Sequence, residues 1–240
     1  QEMIVEERHT RVPAYRPRPD PADVERVAER LQAARRPVII VGGGTRTSGA
    51  GAEVIALAEK LQVPLATSTG AYALVPEEHP LYFGVPGTYS RSCSNQVMLK
   101  AALVVFVGSD TGGQLTHFWR LPREGAEVIQ IGIDAADLGR NYPNSVSVLG
   151  DAKVTLKELI AAVNRREAGG WVAEVQKLVA DWRAEIASNR NSDDTPMRPE
   201  RVLKELGDCL PEDVLVVSDT GHSAMWISQQ LWMNSGKWDF

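Results

Sequence analysis

Arg36-Pro37-Val38-Ile39-Ile40-Val41-Gly42-Gly43-Gly44 is the stretch that decides the fold. Four β-branched apolar residues in succession, without polar alternation, describe a strand covered on both faces, the condition of a strand inside a parallel sheet. Glycines end it, so the chain turns sharply at the strand's carboxyl end.

Outward from this strand the pattern repeats. On its amino side, Asp20-Pro21 supplies an N-cap and a first-turn proline, and Val24, Val27, Ala28, Leu31 and Ala34 follow at helical spacing. On its carboxyl side, Val54, Ile55, Leu57, Ala58 and Leu61 mark a helix from Ala50 to Leu61, and Val63-Pro64-Leu65-Ala66-Thr67 reads as the next strand. A long stretch from Gly70 to Arg91, rich in glycine and proline, reads as a functional loop before a helix near Ser92 to Ala101. Leu103 to Val107 and Val128 to Ile131 are further buried strands, Val146-Ser147-Val148 a short one, and a helix runs from Ala152 to about Arg165. Repeated strand and helix predict an α/β fold, a parallel sheet with helices on both faces, with ligands in the crevice at the strands' carboxyl ends.

Beyond it, a helix over 171–187 precedes a polar run, Asn189 to Pro196. Pro199 then opens a helix with Val202, Leu203 and Leu206, Val214 to Val217 reads as a strand, and His222 to Trp232 as a helix. The expected division is a leader over 1–19, a central nucleotide-type α/β domain over 20–165, a helix and linker over 166–197, and the start of a second α/β domain over 198–240. One strand between two helices closes no core of its own. That asymmetry, with Gln1 at the start, leads to the expectation of a piece of a larger enzyme.

Composition excludes several classes. With 43% hydrophobic and 24% charged residues the chain is of soluble globular type. A net charge of -5 leaves no footprint for nucleic acid or an anionic membrane, and Arg8, Arg11, Arg16 and Arg18 are interleaved with prolines in what reads as a solvated leader. No apolar run approaches the roughly 20 residues that span a bilayer. The two cysteines, Cys93 and Cys209, support neither a disulfide framework nor a zinc site, so a reducing, cytoplasmic setting is expected.

Candidate chemistry lies at strand ends. Gly42-Gly43-Gly44 allows close approach of a phosphate to backbone amides, though Thr47 stands where a third fingerprint glycine would be, and a tight turn without ligand is an equal reading. Asp134 and Asp151 could accept ribose hydroxyls; each also reads as an N-cap. Asp-Thr-Gly occurs at Asp110 and again at Asp219, but the alternation of strands with long helices argues against an aspartic-protease pair. His222, after a strand-end glycine, stands where a helix start meets a diphosphate, or is simply a polar helix start. No His, Asp or Glu grouping has metal-ligand spacing.

In order, Arg36 to Gly44, Gly84-Val85-Pro86-Gly87, Ala102 to Gly108, Ile131 to Asp134, Val148 to Ala152 and Val216 to His222 resemble a thiamine-diphosphate-dependent enzyme of the acetolactate synthase type. The resemblance runs over nearly the whole chain after the leader. It implies thiamine diphosphate and Mg2+ in the parent enzyme, decarboxylation of a 2-oxo acid such as pyruvate with acyl transfer, and a homo-oligomer. Thr220, Gly221, His222 and Ser223 match the segment approaching the diphosphate, although family members carry glutamine at the position of His222 and histidine at that of Ser223. Gly42, Gly43, Thr67, Gly87, Asp134, Gly150 and Asp151 match the central domain's nucleotide positions, which hold FAD, ADP or nothing in the family. Asp110 and Gln114 replace arginines of the FAD-binding relatives, and an acid beside phosphates disfavours FAD. The activating glutamate and the Gly-Asp-Gly magnesium motif have no match in this sequence, so no catalytic or metal residue is assigned and the chain alone is expected to be inactive. The alternative is a free-standing nucleotide-binding or subunit-contact module without catalysis.

Overall fold

The computed structural model describes residues 5–211 and 214–233. After a single turn of 3-10 helix at Glu7–Thr10, the elements run α1 (Pro21–Ala33), β1 (Pro37–Val41), α2 (Gly43–Thr47), α3 (Gly51–Leu61), β2 (Leu65–Thr67), α4 (Ser92–Lys100), β3 (Leu103–Val107), β4 (Glu127–Gly132), β5 (Val146–Leu149), α5 (Ala152–Ala162), α6 (Gly170–Arg190), α7 (Pro199–Cys209) and α8 (His222–Gln230).

The five strands form one sheet, all parallel, in the order β2-β1-β3-β4-β5. The continuous apolar run of β1 is explained by burial on both sides. Ile39 and Val41 face a core built with α1, α3 and α5, while Val38 and Ile40 face a second core built with α4 and α6. Asp20 caps α1 through the Ala22 amide at 2.9 Å, as Asp20-Pro21 predicts. The strand order reverses between β1 and β3, because the chain leaves β1 for β2 on one side and returns to β3 on the other. That switch point opens a crevice at the carboxyl ends of the two strands.

Three expectations are corrected. Val214–Val217 forms no strand: a strand is a pairing, and among the described residues none hydrogen-bonds beside it. Instead Val214 and Val216 pack against a third, smaller cluster of Tyr72, Val85, Leu203, Leu231 and Met233, while Leu215 and Val217 are exposed. The glycine triplet opens a short helix, α2, rather than a plain turn. The leader is not solvated throughout. Arg16 reaches Asp151, Pro17 accepts the Asp151 amide at 2.9 Å, Arg18 pairs with Glu158 at 2.8 Å and Pro19 is buried.

The 70–91 loop is held by a buried ion pair. Arg91, wholly enclosed, meets both carboxylate oxygens of Glu77 at 2.5 and 2.8 Å, and Arg183 of α6 adds a contact to Glu77 at 3.2 Å. The Glu77 amide donates to Met233, Tyr72 donates to the Leu231 carbonyl, and Arg190 donates to Gln230 at 2.6 Å, so the loop, α6 and the segment after α8 are tied together. Arg190 also lies 3.8 Å from the centre of the Trp232 ring.

Candidate functional site

A crevice of about 640 Å³ lies at the carboxyl ends of β1 to β4. Its walls come from the turns that follow those strands: Gly43 and Gly44 after β1, Ser68 to Gly70 after β2, Gly108 to Asp110 after β3, and Ile133, Asp134, Asp137 and Leu138 after β4. Pro86 and Tyr89 of the long loop form a further wall.

The turn after β1 is set by backbone crowding. A Cβ on Gly42 would stand 2.2 Å from the Gly108 carbonyl oxygen and 2.6 Å from the Ser109 Cα. Glycine is required there because the turns that follow the parallel neighbours β1 and β3 approach this closely. Amides of this turn are spent on that approach. Gly42 N–H donates to Val107, Gly44 N–H to Gly108 and Thr45 N–H to Gly42, at 2.8 to 3.0 Å, and the Thr45 hydroxyl donates to the Val107 carbonyl at 2.8 Å. The glycines therefore bring two strand ends together and turn most of their donors inward.

The long loop is fastened in the same way. A Cβ on Gly87 would lie 2.1 Å from the Gln114 carbonyl oxygen, its amide donates to Asn95 at 2.8 Å and its carbonyl accepts from the Asn95 side chain at 3.0 Å. Gly87 is thus buried behind the wall that Pro86 and Tyr89 present. Thr67, also buried, shares a hydrogen bond of 2.9 Å with the Tyr82 hydroxyl, and burial pushes that phenol above its ordinary range.

Of the central-domain residues expected at a nucleotide, Gly43 and Asp134 line the crevice. Gly42, Thr67 and Gly87 stand behind its walls as described. Gly150 and Asp151 lie elsewhere: a Cβ on Gly150 would press Thr155 at 2.8 Å and Pro19 at 3.2 Å. Asp151 is buried, caps α5 through the Val154 amide at 3.1 Å, and accepts from Arg16 at 2.9 Å and Ser48 at 2.8 Å. Its N-cap reading is the one the geometry realises.

The sequence reading missed Ser68, Thr69, Ser109, Gln130 and Asp137 as wall residues. Their signal was position, since each belongs to a strand end or the turn after it. Gln130 is buried and braces the wall, donating to the Ser109 carbonyl at 3.2 Å while accepting from the Gly139 amide and Asn144 at 3.1 Å. Asp110 accepts from the Gly112 amide at 3.2 Å, Asp134 from Ala136 at 2.9 Å, and Asp137 pairs with Arg140 at 2.9 Å. No lysine or arginine lines the crevice.

The second set, Thr220, Gly221, His222 and Ser223, sits apart from these walls at the start of α8. Thr220, His222 and Ser223 are exposed, and Gly221 takes φ +106 with no atom within 4 Å of a built Cβ. Asp219 accepts from the Thr220 amide at 2.7 Å, and its carbonyl accepts from the Ser223 hydroxyl at 3.1 Å. Amides at the amino end of a nine-residue helix thus face open space beside a glycine, a setting that fits a diphosphate. Among the described residues no group of three His, Cys, Asp or Glu could hold a metal ion, and no helix is long and apolar enough to cross a membrane.

A doubly wound parallel sheet with its crevice at the strand-order switch point defines a ligand-binding α/β domain. The chain belongs to the thiamine pyrophosphate enzyme family through its central domain, whose family model matches residues 24–159, more than half of the sequence. It is 28% identical over 228 residues to the "Probable acetolactate synthase large subunit" of Methanocaldococcus jannaschii, covering 90% of this chain and 38% of that protein. It is also 28% identical over 242 residues to the acetolactate synthase of Mycobacterium avium, covering 94% and 38%, and 31% identical over 206 residues to the pyruvate oxidase of Lactiplantibacillus plantarum, covering 85% and 33%. The chain spans between 33% and 38% of the length of these relatives.

Proposed function

We propose that this chain is the central domain, over 20–165, with a connecting helix and linker over 166–197 and the opening of the diphosphate-binding domain over 198–240, of an acetolactate synthase-like transferase. The parent enzyme would act on a 2-oxo acid of the pyruvate type, as a cytoplasmic homo-oligomer. The observation that carries this reading is the family match over residues 24–159, set in a chain whose similarity to acetolactate synthases continues well beyond that domain.

Thiamine diphosphate would supply the stabilisation of the carbanion left by decarboxylation. The residues of this chain that would hold it are Thr220, Gly221, His222 and Ser223. Their part is binding: the amides at the start of α8 would donate to a diphosphate oxygen, Gly221 keeps side-chain bulk away, and the Asp219 bond to the Thr220 amide fixes the turn. His222, exposed at the first helical turn, would add a side-chain donor, and Ser223 helps to fix the turn through its bond to the Asp219 carbonyl. Mg2+ belongs to the parent enzyme's site, and none of the described residues is assigned to it. The rest of the chain works as a scaffold that fixes the position of this turn through the contacts of residues 230–233 with Tyr72, Glu77 and Arg190.

The test compares the full-length protein with the 240-residue chain, both given pyruvate, thiamine diphosphate and Mg2+, with carbon dioxide and acetolactate as the products measured. Turnover by the full protein and none by the 240-residue chain is expected. Decarboxylation by the 240-residue chain would overturn the assignment of no catalytic residue, and a full protein whose turnover of 2-oxo acids is indifferent to thiamine diphosphate would overturn the reading itself.

A further inference from the structure

Gly43 and Asp134, two of the positions that the family resemblance gives to FAD or ADP, line the crevice at the carboxyl ends of β1 to β4, and its donor set does not suit either. A diphosphate in such a place is held by free amides or by cations. Here, among the wall residues, the Gly44 amide is spent on the Gly108 carbonyl and the Gly112 amide on Asp110. The walls carry three carboxylates, Asp110, Asp134 and Asp137, and no lysine or arginine. The nearest cation in the same turn, Arg140, is paired with Asp137 at 2.9 Å. One carboxylate a few ångströms from a phosphate weakens binding about fivefold even at the dielectric of bulk water, and by more at that of a protein surface.

The same walls suit hydrogen-bond donors. Asp110 and Asp134 are exposed to the crevice from the ends of neighbouring strands, and each uses one oxygen, Oδ1, to brace its own turn. A carboxylate at a strand end is the usual acceptor for ribose hydroxyls in open parallel sheets. Pro86, Leu115 and Leu138 give apolar surface for a flat ring, and about 640 Å³ is ample for a base and its sugar.

We infer that this crevice excludes phosphate-bearing nucleotides, FAD and ADP among them, and takes a phosphate-free nucleoside whose sugar hydroxyls bond to Asp110 and Asp134. The inference goes beyond the thiamine-enzyme reading and does not depend on it, because it concerns the strand-end crevice, whose walls include none of Thr220 to Ser223, and is read by ligand binding rather than by turnover.

Isothermal titration of the full protein with adenosine, ADP and FAD as probes tests it, alongside a variant carrying Asp110→Asn and Asp134→Asn. Both acids are exposed, and asparagine keeps the acceptor that braces each turn, so the variant should melt as the wild type does. Adenosine is expected to bind roughly tenfold or more tightly than ADP, with FAD undetected, and the variant to weaken adenosine while narrowing the gap to ADP. ADP or FAD binding as tightly as adenosine, no adenosine binding at all, or a preference unchanged in the variant would each overturn the inference.

Discussion

Gly42 and Gly43 are neighbours with opposite tolerances. Alanine at Gly42 would put its Cβ 2.2 Å from the Gly108 carbonyl oxygen, and both partners are backbone immediately after central strands that cannot yield separately. We expect Gly42→Ala to cost about 2–3 kcal/mol in urea unfolding, as overpacking of a rigid core does. At Gly43 the first neighbour is 3.6 Å away and the residue lies in α2, so Gly43→Ala should change stability by less than about 1 kcal/mol. Equal effects at the two positions would contradict the close approach of the two strand-end turns as the reason for glycine at 42. A second residue-scale expectation concerns Tyr72 and Tyr82, both enclosed, whose phenols burial raises above the ordinary value of 10.0 despite the opposing Arg91 charge. A raised acid in the folded state holds its proton more tightly than in the unfolded chain. Its stabilising contribution is therefore complete below about pH 10 and declines as pH climbs from there toward the folded values. Stability measured by urea titration from pH 8 to 11.5 should fall above pH 10, and fall less steeply in Tyr82→Phe.

At the scale of elements, the strands were legible because burial on both faces leaves an apolar run, unbroken in β1 and β3 and interrupted in β4 only by Gln130. Val214–Val217 is such a run too, yet sheet membership depends on a partner that no local pattern records. The loop after β2 shows a different limit. Its length in glycines and prolines announced a functional loop, but nothing announced that Glu77 and Arg91, 14 residues apart, would close as a buried pair, or that Arg183 would arrive from 106 residues away. The same limit explains the site: strand-end acids were found, but which one opens on the crevice and which one caps a helix is decided by distant neighbours, Arg16 and Ser48 in the case of Asp151. The pair supports a prediction. Glu77→Gln keeps shape but leaves the enclosed Arg91 without a countercharge, a loss of about 3–5 kcal/mol. Thermal melting should show that loss, and limited proteolysis should show earlier cutting after α6, because the Glu77 loop also carries the bond to Met233. A melting temperature within a degree of the wild type would mean that the pair is dispensable.

Across the whole molecule the cores are unequal. The two clusters flanking the sheet are large and continuous, and β1 and β3 at their centre are buried along their full length. The third cluster, where α7, α8 and the 214–217 segment meet Tyr72 and Val85, is small, and Leu215 and Val217 on its outer side are exposed. Less apolar area leaves water there, so less hydrophobic stabilisation opposes its opening. Opening free energy should follow this order, with local release near the chain's carboxyl end well below the global value. Native-state hydrogen exchange should accordingly find the amides of 38–41 and 103–107 slowest, those of α7 and α8 faster, and those of 214–217, which make no ladder bonds, fastest of the three. Adding urea at concentrations too low to unfold the sheet should accelerate α7 and α8 together, as one unit, since Leu203, Leu231 and Met233 share a single cluster. If β1 and α7 instead exchanged with one common free energy, the ties through Glu77, Tyr72 and Arg190 would be strong enough to make the chain a single cooperative body.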